Sequence, residues 1–206
     1  MDVMGMTKAE RTELADFLES LRPDQWESPS LCQGWRVRDV AAHVVSYEEH
    51  GLADTLGHLR KAGFRPGRVN DMALADYAAM DTQELVAFLR AHLTPQGATA
   101  RFGGRVGLTD ALIHHQDIRR PLGLPRQIPS ERLLCVLPFA VTAPPLRGFW
   151  HARHVRLIAT DVEWTWGKGP DARGPAEALL MVLAGRRGAA QDLTGPGAPV
   201  LEKRLG

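Results

Sequence analysis

Apolar residues recur at helical spacing along most of this chain, and each stretch that carries them is closed by a proline or a glycine. A stripe with a period of about 3.6 residues cannot be buried by a strand, whose side chains alternate faces. The chain is therefore bound to bury its core by packing helices. Residues 7–21 place Leu14, Phe17, Leu18 and Leu21 on one side, open on Thr7 and Glu10 spaced as a capping box, and stop at Pro23. A second helix is expected over 37–61, ending at Gly63, with the stripe Val37, Val40, Ala41, Val44, Tyr47, Leu52 and Leu56. A third starts at Asp81, an N-cap followed by Glu84, buries Leu85, Phe88, Leu89 and Leu93, and ends at Pro95. A fourth covers 108–120 before Pro121 and Gly123, and a fifth follows Ser130, with Pro138 as its kink or end.

The pattern changes after the proline-bearing stretch TAPPLRGFW. Residues 154–160 and 162–166 are rich in β-favouring side chains, WTWGKGPDARG supplies turns, and a last amphipathic helix over 175–187 carries Leu179, Leu180, Val182 and Leu183. The expected architecture is mainly α: a helical bundle over 1–148, followed by a short C-terminal ββα segment, α+β in character, over 149–206.

Charge narrows the partners. With 25 Lys+Arg against 24 Asp+Glu the formal charge is +1, which gives no field that recruits nucleic acid across the surface. No run approaches the roughly 20 apolar residues that cross a bilayer, and MDVMGMTKAERTE lacks the apolar core of a leader, so a cytoplasmic protein with no membrane partner is expected. Cys32 and Cys135 are too few for a disulfide framework, in keeping with a reducing compartment. The oligomeric state is not legible. The 21 Arg against 4 Lys reads as the usage of a high-GC genome.

The chemistry-bearing residues are few. Asp110 and His114 stand i, i+4 on the fourth helix, which stacks a carboxylate over an imidazole. His43 interrupts the apolar string DVAAHVVSY of the second. Two imidazoles and one carboxylate from two helices make a donor set for Zn²⁺ or a similar divalent ion, with a position left for an outside ligand. Each residue also has an ordinary role: His43 as a hydrogen-bonded boundary histidine, Asp110 and His114 as a surface ion pair, Asp117 as an outer partner of His114 or a surface charge. His50 and His58 share a helix with His43 beside Glu48 and Glu49 and read as solvated; His151 and His154 lie in a basic stretch and are open to solvation, a phosphate contact or a substrate carboxylate contact. His115 points about 100° away from His114 around the helix, so the two do not enter one small site together. Cys135, in LLCVLPF, reads as buried and inert, and Cys32 as packing. GxSxG, GxxxxGK[ST] and GxGxxG motifs are absent.

Three pieces, SLCQGWRVRDVAAHV, DALIHHQDIRRPLG and DVEWTWGKGPDARGPAEALLMVLAGR, taken in this order, resemble the mycothiol-dependent maleylpyruvate isomerase family, whose main domain is a DinB-like metal-binding four-helix bundle. The resemblance places the family's metal histidine of W-x-V-x-D-V-x-x-H on His43, and its Glu-x-x-x-His pair on Asp110 and His114. Asp110 stands where the family has Glu, and His115 where relatives often have Gly. Arg186, in the Gly-Arg ending of the last helix, is implied as a contact to the thiol cofactor or to a substrate carboxylate.

What the resemblance implies is a metal-dependent enzyme using mycothiol, a low-molecular-weight thiol, against a small electrophile. A thiol on an open Zn²⁺ position loses its proton far below its free pKa of about 8.5. Addition to an activated double bond, rotation and expulsion of sulfur give a cis-trans isomerase; another electrophile gives an S-transferase. Two other readings stand beside this one. A non-catalytic bundle has a structural metal or none and binds a partner, and a metal-dependent hydrolase puts water in place of the thiol.

Overall fold

The protein, seen in a computed structural model, is described over residues 1–49, 77 and 79–206. The expected continuation of the second helix to 61, together with His50 and His58, lies outside the described residues. Among these residues no helix is long and apolar enough to cross a membrane. The chain is mainly α with one small sheet, and it divides into two compact units, Met1–Pro125 and Arg126–Gly206.

In the first unit α1 (Val3–Glu19), α3 (Val37–Glu49), α4 (Thr82–Ala91) and α5 (Arg105–Arg119) pack as a four-helix bundle, with α1 and α3 each touching both α4 and α5; a short α2 (Pro23–Trp26) leads into α3. The stripes read from the sequence meet in one core that includes Leu14, Phe17, Leu18, Val37, Val40, Ala41, Val44, Leu85 and Leu89. The Asp81 cap forms as expected: its carboxylate accepts from Glu84 N at 2.8 Å, and Glu84 reaches back to Asp81 N. The first helix begins earlier than 7, because Asp2 accepts from Gly5 N at 2.9 Å and caps it. Thr7 and Glu10 are consequently not a capping box but fully buried helix-interior residues. Thr7 Oγ1 bonds Val3 O and, at 3.2 Å, Gly104 O ahead of α5.

Glu10 makes the most consequential contact between α1 and α5. Its carboxylate and the His115 ring are both fully buried, with Oε1 2.9 Å from Nδ1, and Arg119 Nε donates to His115 Nε2 at 2.8 Å. That donation requires His115 to be neutral with its proton on Nδ1, so the imidazole relays between an anion and a cation. The Arg119 guanidinium also stacks 3.7 Å over the Phe17 ring.

The second unit is organised on α8 (Ala176–Leu183), apolar and buried on nearly every side. It packs against α6 (Ser130–Thr142), α7 (Gly148–Ala152) and the first strand of a sheet ordered β2-β1-β3: β1 Arg156–Ala159, β2 Thr165–Trp166 antiparallel to it, β3 Asp171–Gly174 parallel to it. Residues 130–142, which the sequence pattern grouped with the bundle, thus pack within this unit. Gly148 is needed here, since a Cβ on it would lie 2.3 Å from Ala140 O. α6 continues through Pro138 rather than ending there. Two elements went unforeseen: β3, read as a turn, and the terminal α9 (Ala198–Leu205), preceded by a 3-10 turn at Ala189–Asp192.

Removing the Glu10 carboxylate would strand the His115–Arg119 pair against the core. Glu10→Ala is expected to lower unfolding stability by about 3–5 kcal/mol, the range for breaking one side of a buried charged pair. Denaturant titration checks this, and a loss below about 1 kcal/mol would show that the triad does not hold α1 to α5.

Candidate metal centre

The segment between α2 and α3 is a tight turn that aims two side chains. Ser30 N donates to Trp35 O at 2.9 Å, Pro29 and Arg36 form an antiparallel bridge, and Gly34 takes the turn at φ +82°. Ser30 Oγ accepts from Cys32 N at 3.1 Å and donates to Trp35 O at 2.9 Å. Arg36 N then donates to Asp39 at 2.9 Å and starts α3. The result sets the Trp35 ring 4.9 Å from the His43 ring, while Leu31 N bonds the Asp117 backbone carbonyl at 3.0 Å.

His43 follows from its register. Val37, Val40, Ala41 and Val44 carry α3 into the core, and His43, itself buried, comes off the edge of that stripe toward α5. Its ring meets the His114 ring edge-on at 4.8 Å between centroids. On α5, Asp110, His114 and Asp117 are spaced i, i+4, i+7 and share one face, while His115 and Arg119 share another. His114 Nε2 lies 3.5 Å from Asp110 Oδ1, and His114 Nδ1 2.9 Å from Asp117 Oδ2. One donor atom from each of His43, Asp110 and His114 falls within 4.8 Å of the others. Asp110 Oδ2, though buried, has no hydrogen-bond partner among the described residues. Asp110, one methylene shorter than a glutamate, still reaches its partner because both sit on the same helix.

Of the two roles left open for Asp117, full burial excludes the surface charge and leaves the partner of His114. Two participants were under-read from sequence. Cys32, read as packing, places Sγ 3.1 Å from Asp117 Oδ2, and with His114 and Asp117 forms a second cluster of donor atoms within 4.8 Å. Trp35 gives no signal of its role in the sequence beyond its place in the W-x-V-x-D-V-x-x-H string. His115 is turned away from the trio into its bonds with Glu10 and Arg119. In the second unit, His151 Nδ1 bonds Leu183 O at 3.0 Å, Cys135 is buried, and Arg186 Nη1 donates to Ala184 O at 3.0 Å.

The electrostatics of the trio are those of a paired site. Burial pushes the Asp110 carboxyl up, but His114, with which it pairs, and the charges of His43 and Arg11 outweigh it, so Asp110 is held below the ordinary carboxylate range. Burial likewise pushes His114 down, and Asp110, with hydrogen bonds to Asp117 and Cys32, more than reverses this; the imidazole is held well above its ordinary value. A raised imidazole stabilises the fold fully below the unfolded pKa of about 6.5 and ceases to do so as pH rises through the folded value. The metal-free chain is expected to lose stability as pH is raised above about 6.5, and His114→Gln to flatten that decline; denaturant midpoints across pH, taken in chelator, measure both, and equal slopes would contradict the assignment.

Residues 7–95 match the family model of the mycothiol maleylpyruvate isomerase N-terminal domain. Two crystal structures of a mycothiol-dependent maleylpyruvate isomerase share the fold. One, a point mutant, aligns with a TM-score of 0.62 at 14% identity over 95% of this chain and 92% of that one. The other aligns with a TM-score of 0.57 at 11% identity over the same shares. No curated protein matches the chain. The matched segment contains His43 and its turn, and the fold common to both structures extends over nearly all of the chain. Residues 7–95 thus match the N-terminal-domain model of the same family that the motifs around His43 and His114 resemble.

Proposed function

We propose that His43, Asp110 and His114 hold a divalent cation, Zn²⁺ or a similar ion, and that the protein is a thiol-dependent enzyme acting on a small electrophile, as a cis-trans isomerase or an S-transferase. The observation that carries this reading is the convergence of two imidazoles and a carboxylate within 4.8 Å, with a buried carboxylate oxygen that lacks a hydrogen-bond partner among the described residues. Such an oxygen is costly to bury and is accounted for by a cation. Two nitrogens and one oxygen suit a borderline ion and leave a coordination position open, the arrangement of catalytic rather than structural sites. Bound there, the ion supplies a Lewis acid that lowers the pKa of an incoming thiol such as mycothiol, which supplies the nucleophile that adds to an activated double bond and leaves it again.

The chain's own residues prepare that position. Asp117 accepts the Nδ1 proton of His114 and leaves Nε2 as the ligating atom, as outer carboxylates do for metal-bound histidines. Asp110 supplies the compensating negative charge. Trp35 covers the His43 ring, which limits water on that side. For Arg186 the resemblance alone supports a role as a contact to the thiol cofactor or to a substrate carboxylate, for which a guanidinium has the matching geometry.

Protein purified without chelator is expected to contain stoichiometric divalent metal, His43→Ala only background, and mycothiol but not water alone to support turnover of an activated alkene by the wild-type chain. Elemental analysis and a thiol-dependence assay test both parts. Unchanged metal in His43→Ala would remove the trio as the site, and turnover by water alone would make the protein a hydrolase.

A further inference from the structure

The Cys32 thiol is spent on a carboxylate that already serves a histidine. We infer that Cys32 is a positioning residue for His114: its S–H, acting through Asp117, fixes the imidazole with Nδ1 protonated and Nε2 turned to the cation position. The inference rests on the metal reading above only for its consequence, not for its geometry.

Asp117 Oδ2 lies 2.9 Å from His114 Nδ1 and 3.1 Å from Cys32 Sγ, so a single oxygen accepts from both groups. The thiol also lies 3.8 Å from Nδ1, a longer and weaker sulfur contact than the 2.9 Å N–H···O bond to Asp117. A carboxylate's last torsion has a broad well, so its orientation depends on its donors. At Oδ2 two of them converge from different elements, the turn before α3 and the helix α5. The turn is fastened at the same place a second time, because Leu31 N donates to the Asp117 backbone carbonyl at 3.0 Å. Carboxylate and carbonyl of one residue thus hold successive residues of the turn.

The choice of a thiol has a physical consequence. S–H is a weak donor, so it orients the carboxylate while drawing little negative charge from it, and Asp117 keeps its strength as an acceptor for Nδ1–H. The sulfur, half-buried beside a fully buried carboxylate, also fills space that water would otherwise enter and use to solvate Oδ2.

The test uses the full chain as wild type, Cys32→Ala and Cys32→Ser, each shown to be folded by its unfolding curve. The His114 imidazole is followed by ¹⁵N-resolved proton spectra with and without Zn²⁺, and Zn²⁺ affinity is measured by competition with a chromophoric chelator. Cys32→Ala is expected to lose the slowly exchanging Nδ1–H signal of His114 and to bind Zn²⁺ about tenfold more weakly, the scale of outer-partner losses. Cys32→Ser, which restores a donor, is expected to keep the signal and to stay within about threefold of wild type. An unchanged Nδ1–H signal in Cys32→Ala overturns the inference, whether or not affinity falls. A wild-type chain that binds no Zn²⁺ would instead defeat the metal reading, leaving the imidazole signal to decide the role of Cys32.

Discussion

From Gly107 to Ile118 every residue of α5 except Asp110 is buried, yet the segment includes two histidines and a second aspartate. A helix enclosed on all sides cannot leave such groups to water, and an unmatched charge there costs several kcal/mol. Helical geometry sorts them into two sets. His115, with Arg119 one turn on, faces α1 and is closed by Glu10. His114, with Asp110 and Asp117 a turn before and after it, faces α3 and the turn that precedes it. The first set is internally matched: anion, neutral imidazole and cation. The second retains a carboxylate oxygen with no described partner, on the one residue of that stretch that is not fully enclosed. Chemistry is possible at the second face because the first fastens the helix in register.

That division gives the SLCQGW turn its significance. A turn of this length needs a glycine at positive φ and a serine to satisfy its own backbone, and Gly34 and Ser30 do that work. The residues between and after them are then free to face outward from the turn, and they face the candidate metal centre: Cys32 toward Asp117, Trp35 toward His43. Both imidazoles of the trio are therefore braced from one short segment that supplies no ligand to it.

What was legible in the sequence was whatever depended on local pattern. The stripes at Val37, Val40 and Val44, the Asp81–Glu84 box and the i, i+4 relation of Asp110 to His114 are consequences of neighbours in the chain, and each forms as read. Thr7 and Glu10 mimicked a capping box because the same residue types at the same spacing serve either a helix start or a buried contact; only the distant Gly104 and His115 decide between them. The Asp171–Gly174 strand was hidden for a related reason. Aspartate, arginine and glycine disfavour strands, and the pairing is made by β1, earlier in the chain, with Ala172 fully buried between its neighbours. Spacing left Asp117 open between a partner of His114 and a surface charge, and its contact with Cys32 could not be read at all, since 85 positions separate the two.

The arrangement also bears on which cation the proposed site selects. In the metal-free chain His114 lies between two carboxylates that favour its proton, so any ion must displace that proton to reach Nε2. Hard ions such as Mg²⁺ and Ca²⁺ gain little from imidazole and bind through oxygen, of which the trio offers a single carboxylate. A borderline ion with strong affinity for nitrogen gains enough from two imidazoles to exchange with the proton, and the carboxylate charge that held the proton then offsets the charge of the ion. Proton and cation thus compete for one lone pair, and the Asp110 and Asp117 carboxylates that raise the affinity of His114 for the first also orient it for the second.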